Sequence, residues 1–455
     1  MPNSTSATVA TVEAELEQRT IRRVIRRLVP FLVTLYLVNF LDRTNVGFAA
    51  LRMNKEIGIS PAIYGLGAGI FFFSYFLFEV PSNVLLHKFG ARVWIARIMI
   101  TWGLVATAMG FLRTPVHFIV LRVLLGIAEA GFFPGVIFLL SLWIPRRYCA
   151  RVIASFYLGI PISQVIGAPL SVGLMSIGSQ LGFSGWRLMY VMEGLPAIAL
   201  GFVCLFYITD TPAQATWLTP EERRWLSSRL ASEEQCKSLA VDQHLSKGEQ
   251  IRRALTNKLV WTLALIYFGI TSGANTMNFF LPSVLDSFQA EFGIKVGLLQ
   301  NGLITAIPYA VTAVAMYLWS RHSDRYQERR KHAGGAALLA AVSITIALLI
   351  NNPIAIVIGF TLLAAGVYTA IAVFWAIPPQ ILTGLGAATA IGLINSIGNL
   401  SGFFGPYATG LLYSLTRSYT VSFLVIAAVV ALGGIGVLLL PERYLTGTAP
   451  ASTDH

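Results

Sequence analysis

The sequence contains twelve long apolar runs, each about as long as a helix that crosses a lipid bilayer. About 20 apolar residues in a helix span the hydrocarbon core. Because lipid offers no hydrogen bonds to backbone N–H and C=O groups, such runs cross as helices. The 12% charged residues agree, since soluble domains carry roughly twice that fraction. We predict an all-α integral membrane protein with twelve transmembrane helices near residues 29–51, 61–86, 92–112, 116–143, 149–176, 187–208, 258–284, 297–320, 333–350, 354–377, 385–413 and 419–440.

The basic residues fall mainly on one side of this arrangement. With the first residue in the cytoplasm, most of the 33 Lys and Arg residues lie in cytoplasmic segments. Cytoplasmic loops of membrane proteins carry such an excess of Lys and Arg. The distribution predicts that both termini are cytoplasmic. It also accounts for the net charge of +12 without a nucleic-acid partner.

One long polar stretch divides the apolar runs into two sets of six. Within it, Thr219, Pro220 and Glu222 have the pattern of a capped helix start, and we expect a short amphipathic helix there. The predicted order is a cytoplasmic tail, an N-terminal six-helix bundle, a central cytoplasmic loop, a C-terminal six-helix bundle and a second tail, over 1–20, 21–209, 210–257, 258–441 and 442–455.

The two halves resemble each other weakly at three places. Spans two and eight are followed by basic turns, HKFGARVW from His87 and SDRYQERRKH with Asp324. Spans four and ten end at Pro145 and Pro378, and spans five and eleven share a Pro-x-x-x-Gly-Leu pattern. Transporters built from two repeats bind substrate between them near the bilayer midplane. The pattern predicts two six-helix pseudo-repeats with a site between them.

Four ionisable residues interrupt the apolar spans: Asp42 and Arg43 in span one, and Arg122 and Glu129 in span four. Charges at membrane depth usually mark ligand or proton pathways, because burying them is costly. Arg122 and Glu129 are seven residues apart, so they share a helix face and can point into one cavity. We interpret Asp42 and Glu129 as proton carriers. Arg43 and Arg122 are candidate substrate ligands, because the guanidinium fork matches a carboxylate. For Arg43 the alternative partner is a carboxylate on span four.

Each pair also has a structural alternative. Arg122 and Glu129 can form a fixed salt bridge that stabilises span four. Asp42 and Arg43 can be a helix-end pair near the outer surface, since Thr44 and Asn45 follow them. Buried ion pairs are weak stabilisers, which favours the functional interpretation of the span-four pair.

These features resemble the major facilitator superfamily. NFLDRTNVG in span one, LRVLLGIAEAGFFPG in span four and GWRLMYVMEGLPA at span six are similar to its anion:cation symporter family. YGLGAGIFFFSYFLFEVPSN and RVWIARIMITWG resemble the bacterial tartrate- and aromatic-acid-type members most. The resemblance implies a major facilitator fold in the inner (cytoplasmic) membrane. It also implies carriage of organic anions such as sugar acids, tartrate, phthalate or hydroxyphenylacetate, with the proton as coupling ion.

The sequence departs from the family pattern in three places. The turn after span two has His87 where the family usually has Asp, whereas the second-half copy keeps Asp324 followed by Arg325, which we assign to gating. Galactonate-type members have a Tyr where this chain has Phe40 and a Gln where it has Ile160. Without these two polar groups, we expect a sparsely hydroxylated or aromatic carboxylate rather than a sugar acid.

Aromatic and amide side chains complete the candidate substrate site. Tyr75 and Trp375 are candidates to stack on an aromatic substrate, although they can equally be packing residues. Asn395 and Asn399 are four residues apart on one helix face and can donate hydrogen bonds to a carboxylate. The alternative for this asparagine pair is a role in joining close-packed helices.

Two further acidic residues are interpreted as structural. Glu79 in span two is expected in a polar network at the cytoplasmic gating turn. Glu193, early in span six, is expected to pair with Arg187 or Arg113 near the outer face. No His, Cys or Asp spacing predicts a metal site, and we expect no enzyme activity and no cofactor apart from the proton.

The leading hypothesis is proton-coupled uptake of a small organic carboxylate, tartrate-like or aromatic, by alternating access. An exchanger or exporter of such anions uses the same residues in reverse. A carboxylate sensor that signals through the central loop is a more remote alternative. The expected partners are the organic anion and the lipid bilayer, and the expected state is a monomer.

Overall fold

The computed structural model describes residues 3–145, 147–148, 152, 159–240, 252, 255–293, 297–326, 328–378 and 387–441. The regular elements of this part are helices. They are α1 (Asn3–Ile57), α2 (Pro61–Phe89), α3 (Ala91–Ala108), α4 (Pro115–Glu129), α5 (Phe132–Ser141), α6 (Gly159–Gln180), α7 (Gly185–Tyr207), α8 (Pro220–Ala240), α9 (Lys258–Glu291), α10 (Leu298–Tyr326), α11 (Arg329–Ile350), α12 (Pro353–Phe374), α13 (Ala387–Thr416) and α14 (Tyr419–Leu438).

Within the described residues, eleven helical segments are long and apolar enough to cross a membrane. One of them, Pro115–Ser141, contains both α4 and α5. The chain is therefore a multi-pass membrane protein. The predicted span at 385–413 is the long helix α13, which is not among the eleven, so the count of twelve stays a prediction. The predicted tail at 442–455 and the central loop from 241 to 251 lie outside the described residues.

Short polar residues fix where several helices begin. Ser60 and Thr114 accept hydrogen bonds from the amides of Ile63 and His117, and each precedes a Pro at the first helical position. Such caps satisfy backbone donors that a helix start leaves without partners. The turns after the preceding spans therefore set the starts of α2 and α4.

The predicted capped helix in the central loop is confirmed as α8. The Glu222 amide donates to Thr219 Oγ1 at 3.2 Å, and the Thr219 amide donates to Glu222 Oε2 at 3.0 Å. The buried Glu222 carboxylate also receives Arg23 Nη1 at 2.6 Å and lies 3.3 Å from Arg19 Nε. The same residue therefore starts α8 and attaches it to the basic beginning of α1.

Helices α1–α7 form an N-terminal bundle and α9–α14 a C-terminal bundle, and the two touch through α2 with α13, α6 with α10 and α1 with α9. We call the end with Arg19, Arg23 and α8 the basic face, and the end where α1 stops and α2 begins the far face. The closest contacts lie toward the far face. A Cβ on Gly65 would lie 2.5 Å from the Pro406 carbonyl oxygen, so α2 and α13 touch backbone to backbone.

The other two interbundle contacts lie in the same half of the molecule. A Cβ on Gly302 of α10 would lie 2.8 Å from Val172 Cγ2 of α6. A Cβ on Gly47 of α1 would lie 3.1 Å from the Phe279 carbonyl oxygen of α9, and the Tyr64 hydroxyl of α2 donates to the same oxygen at 2.8 Å. The bundles are therefore packed together toward the far face.

We predict that Gly410→Ala loosens this closure. A Cβ there would lie 2.3 Å from the Pro61 carbonyl oxygen, and backbone oxygen cannot rotate away as a side chain can. Overpacking of this kind costs about 1–3 kcal/mol. We expect a lower melting temperature in detergent than for the control Gly173→Ala, where nothing lies within 4 Å of the added atom. Equal melting temperatures for the two variants would contradict the close packing.

Candidate functional site

The candidate site lies where span four breaks. Helix α4 ends at Glu129 and α5 begins at Phe132, because Gly131 adopts φ +87°, a left-handed conformation that favours glycine. The Ser82 hydroxyl donates to the Ala130 carbonyl at 2.6 Å and satisfies it. A Cβ on Gly131 would lie 2.2 Å from Ser82 Oγ. The break therefore depends on Gly131, and it places Glu129 at the last position of α4.

Glu129 binds Arg43 of α1. Arg43 Nε donates to Glu129 Oε1 at 2.7 Å, and Arg43 Nη2 donates to the same oxygen. The Glu129 side chain is 1% exposed, whereas that of Arg43 is 22% exposed. The two charges neutralise each other, and the arginine side chain stays partly exposed.

Four aromatic rings surround the Arg43 guanidinium. Its Cζ lies 5.3–5.5 Å from the ring centres of Phe40, Phe71 and Tyr75, and 6.0 Å from that of Phe72. Aromatic faces attract a cation and exclude water around it. Arg43 is therefore a cation in a low-polarity site, with the Glu129 carboxylate as its anionic partner.

Arg122 has different partners from those expected. Its Nε and Nη2 donate to the carbonyls of Gly67 and Ala68 of α2, both at 3.0 Å, and it is 1% exposed. Glu129 is paired with Arg43 instead, so the alternative of a fixed salt bridge between Arg122 and Glu129 is wrong, whereas the expectation that both face one cavity stays a prediction. The spacing predicted a shared helix face, but Arg122 binds α2 and Glu129 binds α1. A substrate role for Arg122 stays a prediction.

Asp42 and Glu193 are both buried inside the N-terminal bundle. Asp42 is 3% exposed, and Asn45 Nδ2 donates to its Oδ1 at 3.2 Å. Helix α1 continues to Ile57, so Asp42 and Arg43 are not a helix-end pair. Glu193 accepts from the Ser171 hydroxyl at 2.7 Å.

The predicted pairing of Glu193 with Arg187 or Arg113 is wrong. Arg187 Nη2 instead lies 3.2 Å from Glu56 Oε1 at the far face. Opposite charge and closeness in sequence favoured an arginine as the partner of Glu193. The helix packing turns Glu193 inward, toward α1 and α6, and leaves Arg187 outside.

The predicted residues of the C-terminal half lie on α12 and α13. Trp375 contacts the ring of Tyr267 at a centroid distance of 4.9 Å and is partly exposed, as are Asn395 and Asn399. Phe72, one of the rings around Arg43, packs on Gly402, where a Cβ would lie 2.5 Å from the ring. Gly402 is about one turn from Asn399 along α13. Phe72 therefore connects the surroundings of Arg43 to the helix that carries both asparagines.

A polar cluster that the sequence prediction did not assign crosses the bundle interface. Asn278 Oδ1 of α9 accepts from the hydroxyls of Tyr309 and Tyr368 at 3.0 and 2.9 Å, and Gln164 Nε2 of α6 lies 3.4 Å away. Ile160 therefore does not leave α6 without an amide, and the substrate class expected from its loss stays a prediction. Gln164 is one helical turn from Ile160, which is the signal that could have identified it.

The residues assigned to gating lie toward the basic face. Glu79 is partly exposed on α2, one turn beyond Tyr75. Arg325 is exposed in the last turn of α10. The side chain of Asp324 lies outside the described residues, so its gating contact stays a prediction.

Comparison with known proteins decides the family. The sequence profile of the Major Facilitator Superfamily matches residues 32–406 and 299–455. The chain belongs to the major facilitator superfamily. A crystal structure of a bacterial homologue of the human lysosomal transporter Spinster, in an inward-facing and unoccupied conformation, has the same fold, with a TM-score of 0.75 at 17% identity over 94% of this chain and 99% of that one.

The relatives of this major facilitator protein are transporters. Two proteins of Agrobacterium vitis, each named "Putative tartrate transporter", are 44% and 42% identical over 94% and 96% of this chain and 96% of each relative. A "Quinolone resistance transporter" of Acinetobacter baumannii is 37% identical over 92% of this chain and 94% of its own. These comparisons confirm the resemblance to organic anion transporters and point away from an enzyme.

We predict that Arg122→Lys destabilises the N-terminal bundle. Lysine keeps the charge but cannot place two N–H groups on the Gly67 and Ala68 carbonyls at the Arg122 spacing. Hydrogen bonds from charged groups contribute about 1.5–3 kcal/mol each, so one lost bond should lower the melting temperature clearly. The exposed Arg113→Lys is the matched control. If both variants melt like the parent protein, Arg122 does not hold α2 and α4 together.

Proposed function

We propose that this protein carries small organic carboxylates together with protons by alternating access between its two bundles. The observation that supports this most directly is the Arg43–Glu129 pair. In this pair the partly exposed Arg43 cation is neutralised by the buried Glu129 carboxylate. A proton on Glu129 would remove that negative charge. An isolated charge at membrane depth is costly. Arg43 would therefore exchange the Glu129 carboxylate for the substrate carboxylate rather than remain without an anion.

The cycle that follows keeps Arg43 paired with one carboxylate while substrate is bound and while it is absent. A proton binds Glu129, the salt bridge to Arg43 opens, and the substrate carboxylate takes the vacated side of the guanidinium. The filled site then contains Arg43, the substrate anion and a neutral Glu129. After the bundles change access, the substrate leaves, Glu129 loses its proton to the other side, and the salt bridge forms again.

The proposed substrate class is a tartrate-like dicarboxylate first and an aromatic carboxylate second. The names of the two Agrobacterium vitis relatives support tartrate. Arg122 is occupied by two carbonyls, so Arg43 would hold one carboxylate while Asn395 and Asn399 donate to the other. Tyr75 and Trp375 would pack on the carbon skeleton. The amide of Gln164 could bind a substrate hydroxyl, and the rings around Arg43 could stack on an aromatic substrate. Both substrate types are therefore proposed.

The proposed orientation puts the basic face in the cytoplasm of a bacterium and the protein in its inner membrane. The excess of Lys and Arg at that face supports this orientation. Since the bundles are packed together toward the far face, the exposed side of Arg43 would communicate with the cytoplasm. In this orientation the structure would correspond to an inward-facing state, and the proposed oligomeric state is a monomer.

A second candidate function is export. The name of the Acinetobacter baumannii relative, a quinolone resistance transporter, favours this candidate. Quinolones of that class carry a carboxylate and an aromatic ring system, which the ring-lined Arg43 site would accept. In this case Arg43 would release the substrate anion to the outside while protons enter the cell.

Uptake into proteoliposomes tests the proposal. Labelled tartrate should accumulate when the outside is acidic, and collapse of the proton gradient should abolish accumulation. Unlabelled tartrate, phthalate, galactonate and a quinolone compete at equal concentration. We expect tartrate or phthalate to compete best and galactonate worst. If no carboxylate accumulates and the quinolone alone is moved, the export function replaces the uptake function.

We predict that Glu129→Gln separates binding from coupling. Glutamine resembles the protonated carboxyl and cannot cycle, so accumulation driven by protons should fall at least tenfold. Exchange of labelled for unlabelled substrate, which needs no net proton movement, should continue. Glu221→Gln, which changes an exposed carboxyl on α8, is the control. Full accumulation by Glu129→Gln would assign the proton to another group, with Asp42 the first candidate.

A further inference from the structure

A cavity lined by arginines lies at the basic face and has no part in the cycle described above. It lies between the beginning of α1, the end of α7 and the segment before α8, and its volume is about 660 Å³. Small-molecule sites in proteins have volumes of roughly 300–1,000 Å³. Five arginines of α1 line the cavity: Arg19, Arg22, Arg23, Arg26 and Arg27. Their spacing of three and four residues puts them on one face of the helix, so positive charge is concentrated there.

Carboxylates neutralise only part of this charge. Arg19 and Arg23 pair with Glu222 at the start of α8. In the part of the chain that the structure describes, no salt bridge reaches the other three arginines of the cavity: Arg22, Arg26 and Arg27. One carboxyl, that of Glu15, also lines the cavity, which leaves an excess of positive charge. Because like charges three or four residues apart destabilise a helix, a bound anion would be favourable here.

Two aromatic rings position Arg27 at the wall of the cavity. Its Cζ lies 4.6 Å from the ring centre of Tyr207 and 5.0 Å from that of Trp217, and the Tyr207 hydroxyl donates to the Arg27 carbonyl at 3.0 Å. Arg27 Nε and Trp217 Nε1 are buried donors with no acceptor among the described residues. Buried donors nearly always have a partner, which favours an acceptor from a bound molecule.

An exposed apolar stripe on α7 ends beside the cavity. Leu195, Phe202 and Phe206 are 47%, 52% and 88% exposed, and their spacing of seven and four residues puts them on one face of α7. Helix α7 is one of the eleven segments able to cross a membrane, so this stripe suits contact with acyl chains. Phe206 precedes Tyr207, which lines the cavity. A lipid whose acyl chains lie along the stripe would therefore have its headgroup at the arginines.

We propose that this cavity binds the phosphate group of an anionic phospholipid, with Arg22, Arg26 and Arg27 as its cations. Guanidinium groups bind phosphate oxygens through charge-assisted hydrogen bonds. Basic pockets at the ends of transmembrane helices recognise lipid headgroups in this way. Soluble phosphates share this chemistry, and the apolar stripe on α7 favours the lipid. The site uses no residue of the proposed transport cycle, so the two proposals stand or fall separately.

Native mass spectrometry of the purified full chain, with phosphatidylglycerol or phosphatidylcholine added at equal concentration, tests the proposal. We expect the parent protein to bind the anionic lipid at least fivefold more tightly than the zwitterionic one. The double variant Arg22→Gln with Arg26→Gln should lose at least fivefold in affinity for phosphatidylglycerol. The matched control is Arg321→Gln with Arg325→Gln, which changes two exposed arginines of the same spacing on α10 and should lose less than twofold.

Inorganic phosphate and glycerol phosphate test for a soluble occupant. At tenfold molar excess they should not displace phosphatidylglycerol, because they lack the acyl chains that the stripe on α7 would contact. Displacement by either would assign the cavity to a soluble phosphate and overturn the lipid proposal. Equal losses in the two double variants, or no loss in Arg22→Gln with Arg26→Gln, would also overturn it. The comparison of the two lipids needs no variant, and equal binding of both by the parent protein would contradict the proposal by itself.

Discussion

The salt bridge between Arg43 and Glu129 is the interaction on which the rest of this structure depends. A charge at membrane depth needs a partner or water, and each of these residues supplies the partner for the other. The pair requires the break in span four, because the end of α4 places the Glu129 carboxylate where the guanidinium can reach it. The break in turn requires a left-handed glycine at position 131 and the Ser82 hydroxyl, which satisfies the freed carbonyl.

The surroundings of Arg43 differ from those of Arg122, the other buried arginine of the N-terminal bundle. Arg122 has the same charge as Arg43, yet two backbone carbonyls hold it and nothing else competes for its fork. Arg43 uses its fork on one carboxylate oxygen and keeps an exposed side. The bundles meet toward the far face through glycines that bring backbones into contact. The packing between the bundles and the Arg43–Glu129 pair therefore involve different residues.

The sequence predicted the features that depend on one helix at a time. Apolar length located the spans, and the Thr219–Glu222 pattern located α8. The charged residues of spans one and four were identified from the cost of burying them. Partners were harder, because helical spacing tells which residues share a face but not which helix that face meets. Arg122 and Glu129 share a face and bind different helices. The sequence paired Glu193 with a nearby arginine, but the packing directs that arginine elsewhere. Gln164 lies one helical turn from Ile160 and was not predicted as a site residue.

The central claim is that a substrate carboxylate replaces Glu129 on Arg43 as Glu129 takes a proton. Calorimetric titration of the purified protein with tartrate, in two buffers of different ionisation enthalpy at the same pH, counts protons taken up on binding. The account predicts net proton uptake for the parent protein and none for Glu129→Gln, which should still bind. Binding without proton uptake in the parent protein, or the same uptake in Glu129→Gln, would contradict it.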